Sequence, residues 1–254
     1  MPISNMRPGP AVAGAVAGLL LLTACGGGGG GGGGTDKASP ASVPAPAESP
    51  AHGLARIPDV GDRLRAEIPA DSRQVVAVYG ESRNSADATV VLYNKASNKR
   101  GDKQGATWDR VGRWPAHNGV KGWTADHRED DKRSPAGVFT LSDAGGVLPD
   151  PGAKLPYTRS SSLAAPRSWA KTHWHDFDYV IAIDYNRVEG TPPNDPTRPQ
   201  GQKKGGGIWL HMDHGSGTSA CVSVSKAAME TLLRSVDPAR KPVVVMGDKQ
   251  YLKS

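Results

Sequence analysis

Nine consecutive glycines, positions 26–34, divide this chain into parts that cannot share one fold. Glycine loses more backbone freedom on ordering than any other residue and offers no side chain to a core. The Pro/Ala/Ser-rich stretch that follows, to about Ala51, extends the chain and buries little. Residues 25–69 are therefore expected to form a tether. Spaced apolar residues between positions 54 and 68 would suit a short helix within it. Residues 70–254 remain for the fold, about 185 residues, the size of one ordinary domain.

Upstream of the glycines, Arg7 precedes an apolar stretch from Ala11 to Leu22, and Thr23 and Ala24 lead into Cys25. The stretch is shorter than the ~20 residues of a membrane span and has the length and flanks of a signal peptide. Its Leu-Thr-Ala-Cys ending is similar to a lipobox. This predicts a signal peptide over residues 1–24, a lipid on Cys25, and anchorage of an exported protein at the outer face of the cytoplasmic membrane. The net charge is +6. A basic exported domain is drawn to an anionic envelope surface, although a solvated basic face explains the charge equally well. Export and the lack of a nucleic-acid motif exclude nucleic acid as a partner. The sequence does not specify an oligomeric state.

The folded region reads as mainly β. Short runs rich in β-branched and aromatic residues predict strands over residues 74–79, 88–93, 107–114, 137–141, 179–185, 207–211 and 242–246. The polar segment 81–87 suits a hairpin turn between the first two. One helix is predicted after Ser225, a natural cap, with Ala228, Met229, Leu232 and Leu233 on one face. Long polar loops at 142–176 and 186–206 are of a length that is usually functional or disordered.

The chain has two cysteines, Cys25 and Cys221. If Cys25 carries a lipid, Cys221 has no disulfide partner, and an unpaired thiol in an oxidising compartment calls for a reason. Cys221 lies ten positions after His211, which ends an apolar strand. A histidine beside a thiol lowers its effective pKa and handles its proton. Ser219 and Ala220 are small enough to let a substrate approach the backbone, where the Cys221 N–H and a neighbour would form an oxyanion hole. The Gly215-Ser-Gly217 turn is also what a plain β-hairpin would use. His214 is a second candidate base. The pairs His173/His175 and His211/His214 also suit a zinc hydrolase, but no His-Glu-x-x-His occurs, and acyl transfer through a thiol needs neither metal nor cofactor. Tyr185, Asn186 and Trp174 are candidates for the walls of a substrate cleft. Trp169 is a candidate for a flap, and Trp209 for core packing.

Ile208-Trp-Leu-His211 followed by Thr218-Ser-Ala-Cys221-Val-Ser223 resembles the active-site signature of the L,D-transpeptidase family, the YkuD-like catalytic domain. Ser134-Pro-Ala-Gly-Val-Phe-Thr-Leu141 resembles the family's upstream strand. The resemblance covers roughly residues 72–248 and is closest to lipoprotein-borne actinobacterial members. The chain departs from the pattern with Ala220 in place of the usual Gly, Ser223 in place of a common Arg, and a shorter His-to-Cys interval. The resemblance implies an L,D-transpeptidase-like β-sandwich with one helix next to the Cys segment. It also implies acyl transfer from peptidoglycan tetrapeptide stems through a Cys221 thioester, with His211 as base, to form 3–3 cross-links. Water as acceptor would give an L,D-carboxypeptidase, and a degenerate relative would only bind cell wall.

Overall fold

In the run Val75-Val-Ala-Val78 alternate side chains enter two different apolar layers, and this double burial sets the architecture. Val76 and Val78 join one cluster, and Val75 and Ala77 join another. A strand buried on both faces is the centre of a layered β fold. The computed structural model describes residues 51–96 and 106–254.

Twelve strands are found among the described residues: β1 (Gln74–Gly80), β2 (Asp87–Lys95), β3 (Trp108–His117), β4 (Trp123–Thr124), β5 (Ser134–Pro135), β6 (Gly137–Thr140), β7 (Ala144–Gly146), β8 (Tyr157–Arg159), β9 (Val180–Ala182), β10 (Trp209–Met212), β11 (Val222–Val224) and β12 (Pro242–Asp248). Ten of them form one sheet, in the order β6-β12-β1-β2-β3-β11-β10-β9-β7-β8, and β4 pairs with β5 apart from it. The larger cluster draws Val76, Leu92 and Val244 from one half of the sheet and Ile181, Leu210 and Val222 from the other. The two halves therefore face a common core, as in the expected sandwich. The helix α2 (Lys226–Ser235) enters that core through Ala228, Met229, Leu232 and Leu233, and the Ser225 hydroxyl caps it by accepting the Ala228 N–H. Each of the larger side chains contributes roughly 1.5–3 kcal/mol by leaving water.

The second layer lies upstream of the boundary expected at residue 70. Ile57, Val60 and Leu64 are buried with Val75, Ala77 and Val245, and Leu54 bridges to Trp108. The spaced apolar residues do form a short helix, α1 (Asp62–Glu67), which belongs to the folded body and not to a tether. A third helix, α3 (Lys249–Lys253), closes the same layer with Leu252, so one helix becomes three. Residues 179–183 are buried, yet only Val180–Ala182 pair as a strand, because the chain turns after Ile183 bonds to Ile208. Loop 142–176 contains β7 and β8, which are short and rich in glycine or polar residues and carry no apolar alternation.

Tyr185 and Asn186 act as fasteners of the 186–206 loop. The Tyr185 hydroxyl donates to the Lys204 carbonyl at 2.9 Å and lies 3.2 Å from that of His127. Asn186 is buried and left-handed, donates to the Gly201 and Gly205 carbonyls, and accepts the Gln200 N–H. Asn tolerates that backbone conformation better than other side-chain-bearing residues. Asn186→Ala is expected to cost about 2 kcal/mol through lost hydrogen bonds and strain. The check is the denaturant midpoint, with cleavage in the 186–206 loop by a protease as the local readout.

Candidate active site

β10 and β11 run parallel, with Leu210 opposite Val222 and His211 opposite Ser223. A plain hairpin through Gly215-Ser-Gly217 is therefore ruled out, since a hairpin makes antiparallel neighbours. The connection instead swings past the end of β3, where Thr218 exchanges backbone hydrogen bonds with Asn118 and Val120. Gly217 is required there, because a Cβ would lie 2.8 Å from both Ala86 and Val120.

Leu210, Val222 and Val224 point into the core. Alternation puts Trp209, His211, Ser223 and Cys221, which lies one residue ahead of β11, on the opposite face. The two residues singled out in the sequence thus share one face of adjacent strands. The Phe177 ring meets both Trp209 and His211 edge-on, each at 5.2 Å, and forms a wall of this face.

His211 is 2% exposed, and its Nδ1 lies 2.8 Å from the Met212 carbonyl. A carbonyl can only accept, so Nδ1 carries the proton and Nε2 keeps its lone pair. Burial pulls the imidazole down to about 4, against the opposing pull of the Met212 carbonyl and of Asp176. Burial also pushes the Cys221 thiol up to about 11, opposed by the Trp209 N–H and helped by the negative Asp176. The sulfur accepts the Trp209 N–H at 3.4 Å and reaches the Gly207 carbonyl at 3.5 Å. At neutral pH the pair is therefore a neutral thiol and a neutral imidazole, not a preformed ion pair.

The backbone around the thiol is held by two hydroxyls. Ser134, fully buried in the Ser-Pro-Ala-Gly motif, donates to the Ala220 carbonyl at 2.7 Å and lies 3.1 Å from that of Cys221. Thr218 donates to the Cys221 carbonyl at 2.7 Å. In a trans peptide the N–H points opposite to the carbonyl. Pinning these two carbonyls therefore aims the N–H groups of Cys221 and Val222 the other way. Ser134 also accepts the Gly119 N–H, so one side chain joins three segments of the site. Ala220 is buried in the core and Ser219 is exposed.

Ser223 is fully buried and donates to Asp213 at 2.6 Å. His117 holds the same carboxylate oxygen at 2.8 Å. Burial raises Asp213, but the Ser223 hydroxyl and His117 outweigh it and hold the carboxyl below its ordinary range. Asp213 in turn accepts the Gly215 N–H, so Ser223 anchors the connection.

His214 lies behind His211, its ring parallel at 6.4 Å, with its side chain buried against Asp176 and His173. Trp174 is tied to its own turn: its Nε1 donates to the Trp169 carbonyl, and Arg167 lies over its ring. Trp169, 45% exposed, also meets the Phe177 ring edge-on. Trp209 is part-buried and donates to the Pro193 carbonyl. The sequence reading missed Ser134, Asp176, Phe177 and Asp213. Only Ser134 carried a signal, its place in the quoted upstream motif.

A mainly β domain that sets a thiol and a neutral imidazole on one face of parallel strands, beside pinned peptide planes, has the parts that thiol-based acyl transfer needs. The chain belongs to the L,D-transpeptidase catalytic domain family (YkuD), whose model matches residues 88–245. That membership implies a peptidoglycan substrate. No curated protein and no solved structure matches the chain.

Proposed function

We propose that this protein is a cell-wall L,D-transpeptidase that uses Cys221 as nucleophile and His211 as base. The observation that carries the reading is the placement of both side chains on one face of β10 and β11, with His211 Nδ1 committed to the Met212 carbonyl. Nε2 takes the thiol proton as sulfur attacks the carbonyl carbon at the third residue of a tetrapeptide stem. The Cys221 N–H, with a neighbouring N–H, receives the oxyanion. The terminal D-alanine leaves with the proton from the imidazole, and the acyl group remains on sulfur as a thioester. A side-chain amine of a second stem then attacks, its proton passing to His211, and the thiol is released with a 3–3 cross-link formed.

The Leu-Thr-Ala-Cys25 ending supports an exported lipoprotein of the actinobacterial type, held at the outer face of the membrane. Cys25 and residues 1–50 lie outside the described residues. Palmitate labelling that is lost in Cys25→Ser tests the anchor.

The activity is tested by incubating the full chain with a carbapenem or with tetrapeptide stems, alone and with an amine acceptor, and weighing the intact protein and the products. A Cys221 adduct with dimeric products is expected. Tripeptide alone would show water as the acceptor, and folded protein without an adduct would leave a wall-binding relative. Ser134→Ala is expected to cost about 2 kcal/mol, because it frees buried carbonyls and the Gly119 N–H. It is also expected to slow adduct formation about tenfold or more, because the peptide planes beside sulfur are no longer pinned. Urea unfolding and the rate of the mass shift measure the two effects separately.

A further inference from the structure

Behind the catalytic wall, three side chains converge that the proposed chemistry does not use. His173 ends a 3₁₀ turn, Lys171–His173, and Asp176 follows three residues later. The Met212 N–H donates to the Asp176 backbone carbonyl, which ties this turn to the end of β10 and brings in His214. One Asp176 oxygen lies 3.0 Å from His173 Nδ1 and 3.0 Å from His214 Nδ1. The three ligand atoms all lie within 4.8 Å of one another. Ligands at ~2.0–2.2 Å from a tetrahedral zinc are themselves roughly 3.3 Å apart, so small side-chain rotations close this set on one ion.

A second observation comes from His214 itself. Its side chain is 4% exposed, and neither ring nitrogen makes a hydrogen bond, although Nδ1 is close to the carboxylate. Of the two imidazoles, only His173 forms a hydrogen bond with Asp176. A buried imidazole with both nitrogens unsatisfied is costly, and a metal on Nδ1 relieves one of them. His173 is about one-third exposed, which leaves a way in from solvent and room for a water as fourth ligand. His175 is turned away onto Asp178 and is not part of the set.

We infer that His173, Asp176 and His214 form a binding site for one divalent transition-metal ion, zinc foremost, that fastens the 171–178 turn to the end of β10. Two imidazoles and a carboxylate suit zinc better than calcium or magnesium, which prefer all-oxygen shells. The ion would brace the wall formed by Phe177, His211 and His214, and Cys221 is not among its ligands. This assignment does not rest on the acyl-transfer reading.

The test uses the full chain, stripped with a chelator and dialysed, then titrated with ZnCl₂ by calorimetry and assayed for bound metal. One equivalent is expected, with a rise in thermal midpoint of about 5–10 °C at a hundredfold excess over Kd. Co²⁺ in the same site should show visible d–d bands. His173→Ala removes a partly exposed ring, keeps the fold, and is expected to weaken binding at least a hundredfold, as is His214→Ala if it folds. Cys221→Ala and His175→Ala should bind as the parent does. Binding that is unchanged in His173→Ala, binding that is lost in Cys221→Ala, or no retained zinc in the folded parent would each overturn the site.

Discussion

Cys221→Ala is expected to abolish adduct formation and turnover, with a loss on the order of 10⁴-fold or more, since the thioester has no other thiol to form on. The fold should be retained, because sulfur makes only two long polar contacts and the loop is held by Ser134 and Thr218. Intact mass and circular dichroism check the two halves of that statement. The native thiol should also react slowly in the absence of substrate. Held at about 11 by burial, it should be alkylated by iodoacetamide at neutral pH roughly a hundredfold more slowly than an ordinary thiol, since thiolate fraction falls tenfold per pH unit. The rate should climb with pH toward 11. Alkylation at pH 7 faster than that of free cysteine would mean that sulfur is ionised by His211 and would overturn the neutral-pair description, and a rate equal to it would show that burial does not hold the thiol up.

Acid should act on the site through His211. Its ring is fully buried and held at about 4, against an ordinary value of 6.5. The unfolded chain therefore binds a proton between those two values that the folded chain refuses. The resulting stability is complete above 6.5, declines as pH falls below it, and is fully lost below about 4, a difference of about 3 kcal/mol. Urea midpoints at pH 7 and pH 4 for the parent and for His211→Asn read this directly: the variant should lose about 3 kcal/mol less. Equal losses would show that His211 titrates like an exposed ring. Acylation should stay level through neutral pH and fall about tenfold per unit below pH 4, as Nε2 becomes occupied.

The strands carrying long β-branched runs, β1, β2, β9 and β12, were legible because burial on one or both faces leaves a mark in composition. β7 and β11 are three residues each and carry too little pattern to count. The Cys221 and His211 pair could be read because thiol and imidazole are scarce and chemically distinct. Their relative placement could not, since it depends on parallel pairing across a connection that resembles a hairpin turn. The loop-fastening partners of Tyr185 and Asn186 were not legible, for the opposite reason. A polar or aromatic residue after a strand looks the same whether it meets a substrate or ties down a loop, and only its partners, the carbonyls of Lys204 and Gly205, decide. Asp176 and Phe177 sit in a segment with no periodicity, so contacts alone reveal them. The boundary at residue 70 failed because Ile57, Val60 and Leu64 are few and spaced within a Pro-rich neighbourhood.

β12, the last strand of the chain, lies inside the sheet between β6 and β1. Until β12 inserts, β6 has no neighbour in the sheet, and pairings that span most of the sequence form late and slowly. Ser134 likewise waits 86 positions for the Ala220 carbonyl it holds. The backbone beside the thiol is thus held only once Ser134 has met the Cys221 segment, a meeting of two distant parts of the chain that local folding alone cannot bring about.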